Sequence, residues 1–146
     1  MAETATRVEH RAVPMISYED VGAAAEFLQR ALGFRERGER YTDAAGRVTH
    51  AEMELGGALV MLGWPGPEYH SPAHHARECA EARAWLDVPY VIDGVMVEVD
   101  NVDALVERAR GAGARILREP KDEPYGRLAN VEDAEGHRWM LLQPTE

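Results

Sequence analysis

The sequence predicts an α+β fold made of two tandem βαβββ units, and an internal repeat is the main evidence. The pattern Gly-x-x-x-Met-Leu-x-x-Pro at 57–65 returns at 136–144, 79 residues later. An acidic residue and valine precede a helical pattern at 19–21 and again at 100–102, 81 residues apart. Two matches in the same order at nearly the same offset indicate a duplicated unit. We therefore expect function between the two halves, where concave pockets form.

The first unit, predicted over 12–64, shows one strand, one helix and three strands. An apolar run over 13–18 indicates a strand, and Pro14 within it is typical of an edge. Asp20 is a predicted N-cap before apolar residues at helical spacing, and Gly33 is a predicted helix end. The elements that follow are an extended segment over 34–42, a turn over 43–46, an alternating strand over 47–55, a Gly56-Gly57 hairpin and a buried strand over 58–64.

The second unit, predicted over 91–146, repeats this order after a joining segment. The joining segment, 65–90, starts as a proline-rich loop and continues as a predicted helix over 74–86. The polar residues 1–11 are expected to form a flexible lead-in to one compact domain. The predicted elements of the second unit are strand 91–99, helix 103–112, strand 115–119 ending at Pro120, a polar loop over 121–126, strand 128–131, turn 133–136 and strand 138–142.

The composition narrows the functional classes. With 45% hydrophobic and 29% charged residues, the 146-residue chain is typical of a soluble globular domain, and it has no apolar run of about 20 residues. The single cysteine, Cys79, excludes an internal disulfide and favours a cytoplasmic location. The net charge of −10 disfavours nucleic acid as a partner and is compatible with a cationic ligand.

These features resemble the vicinal oxygen chelate superfamily, the group of glyoxalases, bleomycin-resistance proteins and extradiol dioxygenases. The resemblance covers about residues 12–144. It rests on the two units, the closing Gly-x-x-x-Met-Leu strands and the hairpin from Asp133 to Trp139 with its Glu132-Asp133-x-x-Gly136 turn. It implies a cupped mixed sheet with helices outside and a pocket within, and a homodimer, since members commonly pair.

Enzymes of this family usually hold a divalent metal with four side chains, typically His and Glu, that line the cup. The resemblance places those positions at Val13, Met61, Gly94 and Met140. Valine and glycine offer no donor, and thioethers suit soft ions. We therefore expect no metal and no cofactor in the cup. The two methionines are typical either of an adaptable apolar binding surface or of core packing.

Polar residues on the alternating strands give the candidate chemistry. His50 and Glu52 are predicted to face the cup, as an acid/base pair, a two-ligand metal site or a solvated polar face. By the same alternation Ser17, Glu98 and Arg138 face inward. Glu98 and Arg138 are alternatively a buried ion pair, and His50, Glu52 and Glu98 alternatively converge on a non-standard metal. The candidate catalytic residues are His50, Glu52 and Glu98.

Aromatic residues and a histidine tract complete the candidates. Trp64 and Tyr125 are predicted to stack on a planar ligand, whereas Trp139 is predicted to pack under a helix. His70, His74 and His75 form either a metal-binding tract or a solvated surface. The predicted ligand-binding residues are Ser17, His50, Glu52, Met61, Trp64, Met96, Glu98, Tyr125, Arg138 and Met140.

Three functions follow as hypotheses. The first is a protein that binds an apolar or cationic small molecule in a metal-free cup, as in drug or metabolite sequestration and antibiotic resistance. The alternative is a lyase, isomerase or dioxygenase with a non-standard site, which would need a divalent metal such as Zn, Ni, Mn or Fe; an acid/base enzyme without metal is a further option. The third is a vestigial cup that serves in dimer or partner binding. No membrane partner is expected.

Overall fold

Two βαβββ units follow one another along the chain, which confirms the predicted α+β fold. The structure, a computed structural model, describes residues 12–88 and 92–145. The predicted lead-in over 1–11, and Val91 at the predicted start of the second unit, lie outside these residues. The elements are β1 Met15–Ser17, α1 Val21–Leu32, β2 Arg35–Thr42, β3 Val48–Leu55, β4 Ala58–Gly63, α2 Pro72–Glu78, α3 Ala80–Trp85, β5 Gly94–Glu98, α4 Val102–Gly111, β6 Arg115–Glu123, β7 Gly126–Glu132 and β8 Arg138–Pro144.

Each unit forms one mixed four-stranded sheet, and the two sheets have the same topology. The strand orders are β1-β4-β3-β2 and β5-β8-β7-β6, with β1 parallel to β4 and β5 parallel to β8. The register places Met15 opposite Met61 and Met96 opposite Met140. A groove of about 370 Å³ lies between the β1 and β5 segments. The internal repeat in the sequence therefore corresponds to a structural repeat.

The core lies between the sheets and the helices α1 and α4. Asp20 and Asn101 cap these helices through side-chain oxygens that accept from Ala23 N and Ala104 N. One continuous apolar cluster then includes residues of both units, such as Leu28 and Trp139, which are fully buried. At the end of α1, Arg108 of α4 donates to the carbonyls of Gln29 and Arg30. None of the described helices is long and apolar enough to cross a bilayer.

The joining segment differs from the prediction. The predicted helix over 74–86 is two short helices, because Cys79 between α2 and α3 has extended backbone angles (φ −135°, ψ 118°). The first helix begins earlier than predicted, since Ser71 caps it by accepting from His74 N and Pro72 occupies the first turn, where its missing N–H costs nothing.

Strands β6 and β7, which form a hairpin, are longer than predicted. Strand β6 continues through Pro120 to Glu123, so the predicted polar loop over 121–126 is wrong. A register shift between Arg118 and Lys121 accommodates the proline, and β6 is an edge strand, where a residue without an N–H is tolerated. Strand β7 starts directly after a tight turn, at Gly126.

Gly136 fixes the distance between the β7–β8 turn and α2. Its φ is +92°, and a Cβ atom there would lie 2.7 Å from Ala73 N. Gly57, its counterpart in the repeat, has a φ of +88° and open space around it. We expect Gly57→Ala to lower the free energy of unfolding by about 1 kcal/mol through backbone strain alone, and Gly136→Ala by about 2–4 kcal/mol, because overpacking adds to it. Urea unfolding followed by circular dichroism measures both, and equal losses would contradict the close approach of α2.

Candidate functional site

The candidate residues lie on the face of the two sheets that turns away from α1 and α4, which we call the cup face. On β3, Ala51 and Met53 are fully buried against the core, so His50 and Glu52 project from the opposite side. The predicted alternation of this strand is therefore confirmed. Other residues on the cup face include Met15, Ser17, Met61, Met96, Glu98, Asn130, Arg138 and Met140.

Methionines occupy matching places on the two sheets. Met15 pairs with Met61 and Met96 with Met140, and the side chains of Met15 and Met96 are 74% and 51% exposed. Val13 precedes β1, and Gly94 lies opposite Arg138. The four positions that the sequence resemblance assigns to metal ligands therefore offer thioethers, a valine and a glycine. The donor set does not fit a divalent metal of the usual kind.

His50 and Glu52 lie close together, whereas Glu98 lies elsewhere. The His50 Nε2 and Glu52 Oε1 atoms are 3.8 Å apart, and the Tyr41 ring is 5.5 Å from the His50 ring. Glu98 lines a groove beside Leu55, five residues or about 16 Å along β3 from His50. Among the described residues these three do not gather their donor atoms at one point. The structure thus supports the pair and not the three-residue metal site.

Arg138 is fully buried and pairs with a different residue than predicted. Its Nη2 lies 3.0 Å from Glu132 Oε2 and donates to Leu86 O at 2.5 Å, while Nη1 donates to Val88 O. The alternative of a Glu98–Arg138 ion pair is therefore wrong. Burial lowers the pKa of Arg138 and raises that of Glu132, and their attraction opposes both shifts. Arg138 holds the segment after α3 against β8, and its predicted contact with a ligand stays a prediction.

Asn130 is a cup-face residue that sequence analysis missed. It lies on β7 opposite Met140 and is 0% exposed. Neither its amide nitrogen nor its amide oxygen has a hydrogen-bond partner among the described residues. Such a group is rare in folded proteins, because an unsatisfied buried amide costs about 1–3 kcal/mol. A lone asparagine in a strand carries no motif; the available signal was a polar residue between the apolar Ala129 and Val131.

The aromatic candidates have different environments. The Arg47 guanidinium lies 4.1 Å from the centre of the Trp64 ring, which also packs against the core, so one face of this indole already has a cation on it. Tyr125 lies in the β6–β7 turn and is 56% exposed. Ligand stacking by these two residues stays a prediction. Trp139 is fully buried in the core, as predicted, and its Nε1 donates to Asp133.

The joining segment gathers His70, His74 and Glu78, which we call the α2 cluster. His74 Nδ1 lies 2.9 Å from Glu19 Oε1 and Nε2 lies 3.0 Å from Glu78 Oε1. Hydrogen bonds with Glu19 and Glu78 raise the pKa of His74. Partial burial raises the pKa of Glu19, but hydrogen bonds from Ser71 and His74 outweigh it and bring this pKa down to about 2.

His75 is not part of the α2 cluster. It is not among the three grouped donors, and it lines a groove of about 470 Å³ together with Cys79 and Trp85, which His70 also borders. The three histidines of the predicted tract therefore divide into a pair, His70 and His74, and a single residue. The pairing of His70 with His74 across Ser71-Pro72 was not expected from the sequence, because His70 precedes the N-cap and reaches His74 only by stacking.

Comparison with known proteins agrees with this architecture. The Glyoxalase/Bleomycin resistance protein/Dioxygenase superfamily model matches residues 8–141. An uncharacterized protein of Mycobacterium bovis is 30% identical over 145 residues, which cover 96% of this chain and 87% of the relative.

Two solved structures extend the comparison. TioX from Micromonospora sp. ML1 has a TM-score of 0.66 and 30% identity, with 94% of this chain and 98% of that chain covered. TnmS3, an antibiotic binding protein from Streptomyces sp. CB03234, has a TM-score of 0.61 and 22% identity, with 95% and 100% covered, which shows the fold alone. The family match spans most of the chain, and the two-unit architecture agrees with it. The chain belongs to the Glyoxalase/Bleomycin resistance protein/Dioxygenase superfamily.

Proposed function

We propose that this protein binds an apolar or cationic small molecule on the cup face, without a metal, and acts by sequestering it. The observation that carries the proposal is Asn130. Its fully buried amide has an unused donor and an unused acceptor beside Met140. A protein that needed only a stable sheet would gain free energy from an apolar residue here. Ligand sites typically combine an apolar lining with a few convergent polar groups, which is the combination found at Asn130.

The composition of the cup face supports the same ligand class. Four methionines at matching positions give a polarizable surface that adapts to irregular apolar molecules. The net charge of −10 favours a cation over an anion of equal size. TnmS3, which shares the fold, is described as an antibiotic binding protein. We therefore place drugs and drug-like metabolites first among the ligands of this chain.

Fluorescence titration with acridine orange, a planar aromatic cation, tests the proposal. We expect saturable binding, unchanged by EDTA, with the dye recovered chemically intact. Pyrene sulfonate, a planar anion, is the matched control and is expected to bind at least tenfold more weakly. The double variant Met61→Ala/Met140→Ala should weaken dye binding at least tenfold, since it removes the central thioethers of both sheets. Loss of binding in EDTA, or a preference for the anion, would contradict the proposal.

A second candidate function, an acid/base enzyme, rests on His50 and Glu52. Their side chains are about a quarter exposed and 3.8 Å apart on the cup face, a separation that a bound substrate can close. Such an enzyme would convert its ligand, and His50→Ala would abolish turnover while leaving binding in place. Recovery of a chemically altered ligand would favour this candidate over sequestration.

The homodimer and the cytoplasmic location predicted from the sequence remain part of the proposal. The exposed thioethers of Met15 and Met96, at matching places on the two sheets, support a cup that a second copy of the chain closes, because exposed apolar patches often mark protein–protein contacts. In that arrangement the ligand would lie between the cup face of one chain and that of its partner.

A further inference from the structure

The α2 cluster brings three potential metal ligands together outside the cup face. His74 and Glu78 are four residues apart on α2 and therefore share one side of the helix. The His70 ring stacks on the His74 ring with 4.1 Å between centroids and 17° between planes. The donor atoms of the three residues all lie within 4.8 Å of one another, and no other His, Cys, Asp or Glu group does this in 12–88 and 92–145.

His74 has a carboxylate on each of its two ring nitrogens. Glu19 Oε1 lies 2.9 Å from Nδ1, and Glu78 Oε1 lies 3.0 Å from Nε2. A neutral imidazole carries a single N–H and can donate to only one of these acceptors. The second contact therefore requires either one more proton, on the ring or on the Glu78 carboxylate, or a cation near Nε2 and Glu78.

The position of His70 supports a bound cation over a second proton on the His74 ring. A protonated His74 between two carboxylates needs no further residue, whereas a metal site needs a third donor. The His70 Nδ1 atom lies 4.0 Å from Glu78 Oε2. Ligand bonds of about 2.0–2.2 Å to zinc put tetrahedral donors about 3.3–3.6 Å apart, so these two atoms need to approach by less than about 1 Å. The His70 ring also needs to turn out of its stack on His74, because an imidazole binds a metal in the plane of its ring. The His70 and Glu78 side chains are 52% and 59% exposed, which leaves room for that movement.

Glu19 supplies the partner that a metal-binding histidine usually has on its other nitrogen. Its second oxygen, Oε2, accepts from Ser71 N at 3.0 Å, so the carboxylate is held in place on Nδ1 of His74. This bond keeps the Nδ1 proton on that side and leaves the Nε2 lone pair for a metal. We propose that His70, His74 and Glu78 bind a divalent ion of the zinc type, with Glu19 orienting His74 and water completing the coordination.

Zinc titration of the full chain by calorimetry, after EDTA treatment and buffer exchange, tests this site. We expect one ion per chain. His74→Ala and Glu78→Gln are expected to weaken zinc binding at least tenfold each, because each removes a ligand. Glu19→Gln is expected to weaken it about tenfold at unchanged stoichiometry, as loss of an orienting partner does. His75→Ala is the matched control, since this neighbour on the same helix is not one of the three grouped donors, and its affinity should equal that of the unmodified chain.

Three results would overturn the site. They are no zinc binding by the unmodified chain, equal affinity in His74→Ala, and loss of binding in Cys79→Ser while His74→Ala still binds. Either of the first two results would mean that His74 is a protonated ring between two carboxylates and not a metal ligand. The third would mean that the Cys79 thiol binds the zinc. Circular dichroism without metal shows whether each variant folds. If one does not, His70→Ala takes its place, because the His70 side chain is half exposed and its loss should not disturb the fold. Acridine orange binding should be the same in His70→Ala, so failure of this site is distinguishable from failure of the cup.

Discussion

Asp133→Ala is expected to lower the free energy of unfolding by at least about 3 kcal/mol, because this side chain joins the two units. Asp133 is 5% exposed. Its Oδ2 accepts from Tyr18 Oη of the first unit at 2.6 Å and from Trp139 Nε1 of the second at 3.1 Å. The substitution leaves both donors buried without a partner, at about 1–3 kcal/mol each. Burial and the Asp133 charge also raise the pKa of Tyr18 well above its usual value, which keeps the phenol a donor.

The control for this substitution is Asp43→Ala, in the turn between β2 and β3. Asp43 makes the same local turn as Asp133: its Oδ1 accepts from backbone N–H groups two and four residues on, as Asp133 Oδ1 does. No buried side chain donates to it among the described residues, so we expect a loss of about 1 kcal/mol. Urea unfolding followed by tryptophan fluorescence measures both variants. Similar losses would show that the Tyr18 and Trp139 bonds contribute little.

The sequence predicted the fold because local and repeated signals agreed. Asp20 and Gly33 cap the two ends of α1 as predicted, and the alternation around Ala51 and Met53 identified the buried side of β3. The helix break at Cys79 was not predictable, since alanine-rich and charged residues continue across it. A local rule also failed at Pro120, because the edge position that permits a proline there is set by the order of the strands and not by its neighbours.

The candidate site was predicted where strand alternation determines it and missed where tertiary contacts do. Alternation placed His50 and Glu52 on one face correctly, and the family resemblance placed Met61 and Met140 on the same face. It could not show that Glu98 lies far from His50, because alternation fixes the side of the sheet and not the position along it. The stacking of His70 on His74 depends on the path of the chain before Ser71, which no residue pattern specifies.

Asn130→Leu is expected to raise the free energy of unfolding by about 1 kcal/mol and to weaken acridine orange binding at least tenfold. Leucine has the same number and branching of side-chain heavy atoms as asparagine and faces the apolar neighbours Leu128 and Met140, so it removes an unsatisfied amide without leaving a cavity. Its greater bulk offsets part of the gain of about 1–3 kcal/mol. The same change removes the only unpartnered buried amide that the described cup face offers to a ligand. A substitution that stabilises the fold and impairs binding is typical of a position retained for function.

Gln143→Leu separates this effect from the general loss of an amide. Gln143 lies on the helix side of β8, and its Oε1 accepts from Val102 N at 2.9 Å, so its amide already has a partner. We expect this control to lose about 1 kcal/mol of stability and to bind the dye as the unmodified chain does. If Asn130→Leu loses stability as Gln143→Leu does, its amide serves the fold. If Asn130→Leu gains stability and still binds the dye, the ligand does not use Asn130, and the proposal loses the observation that carries it.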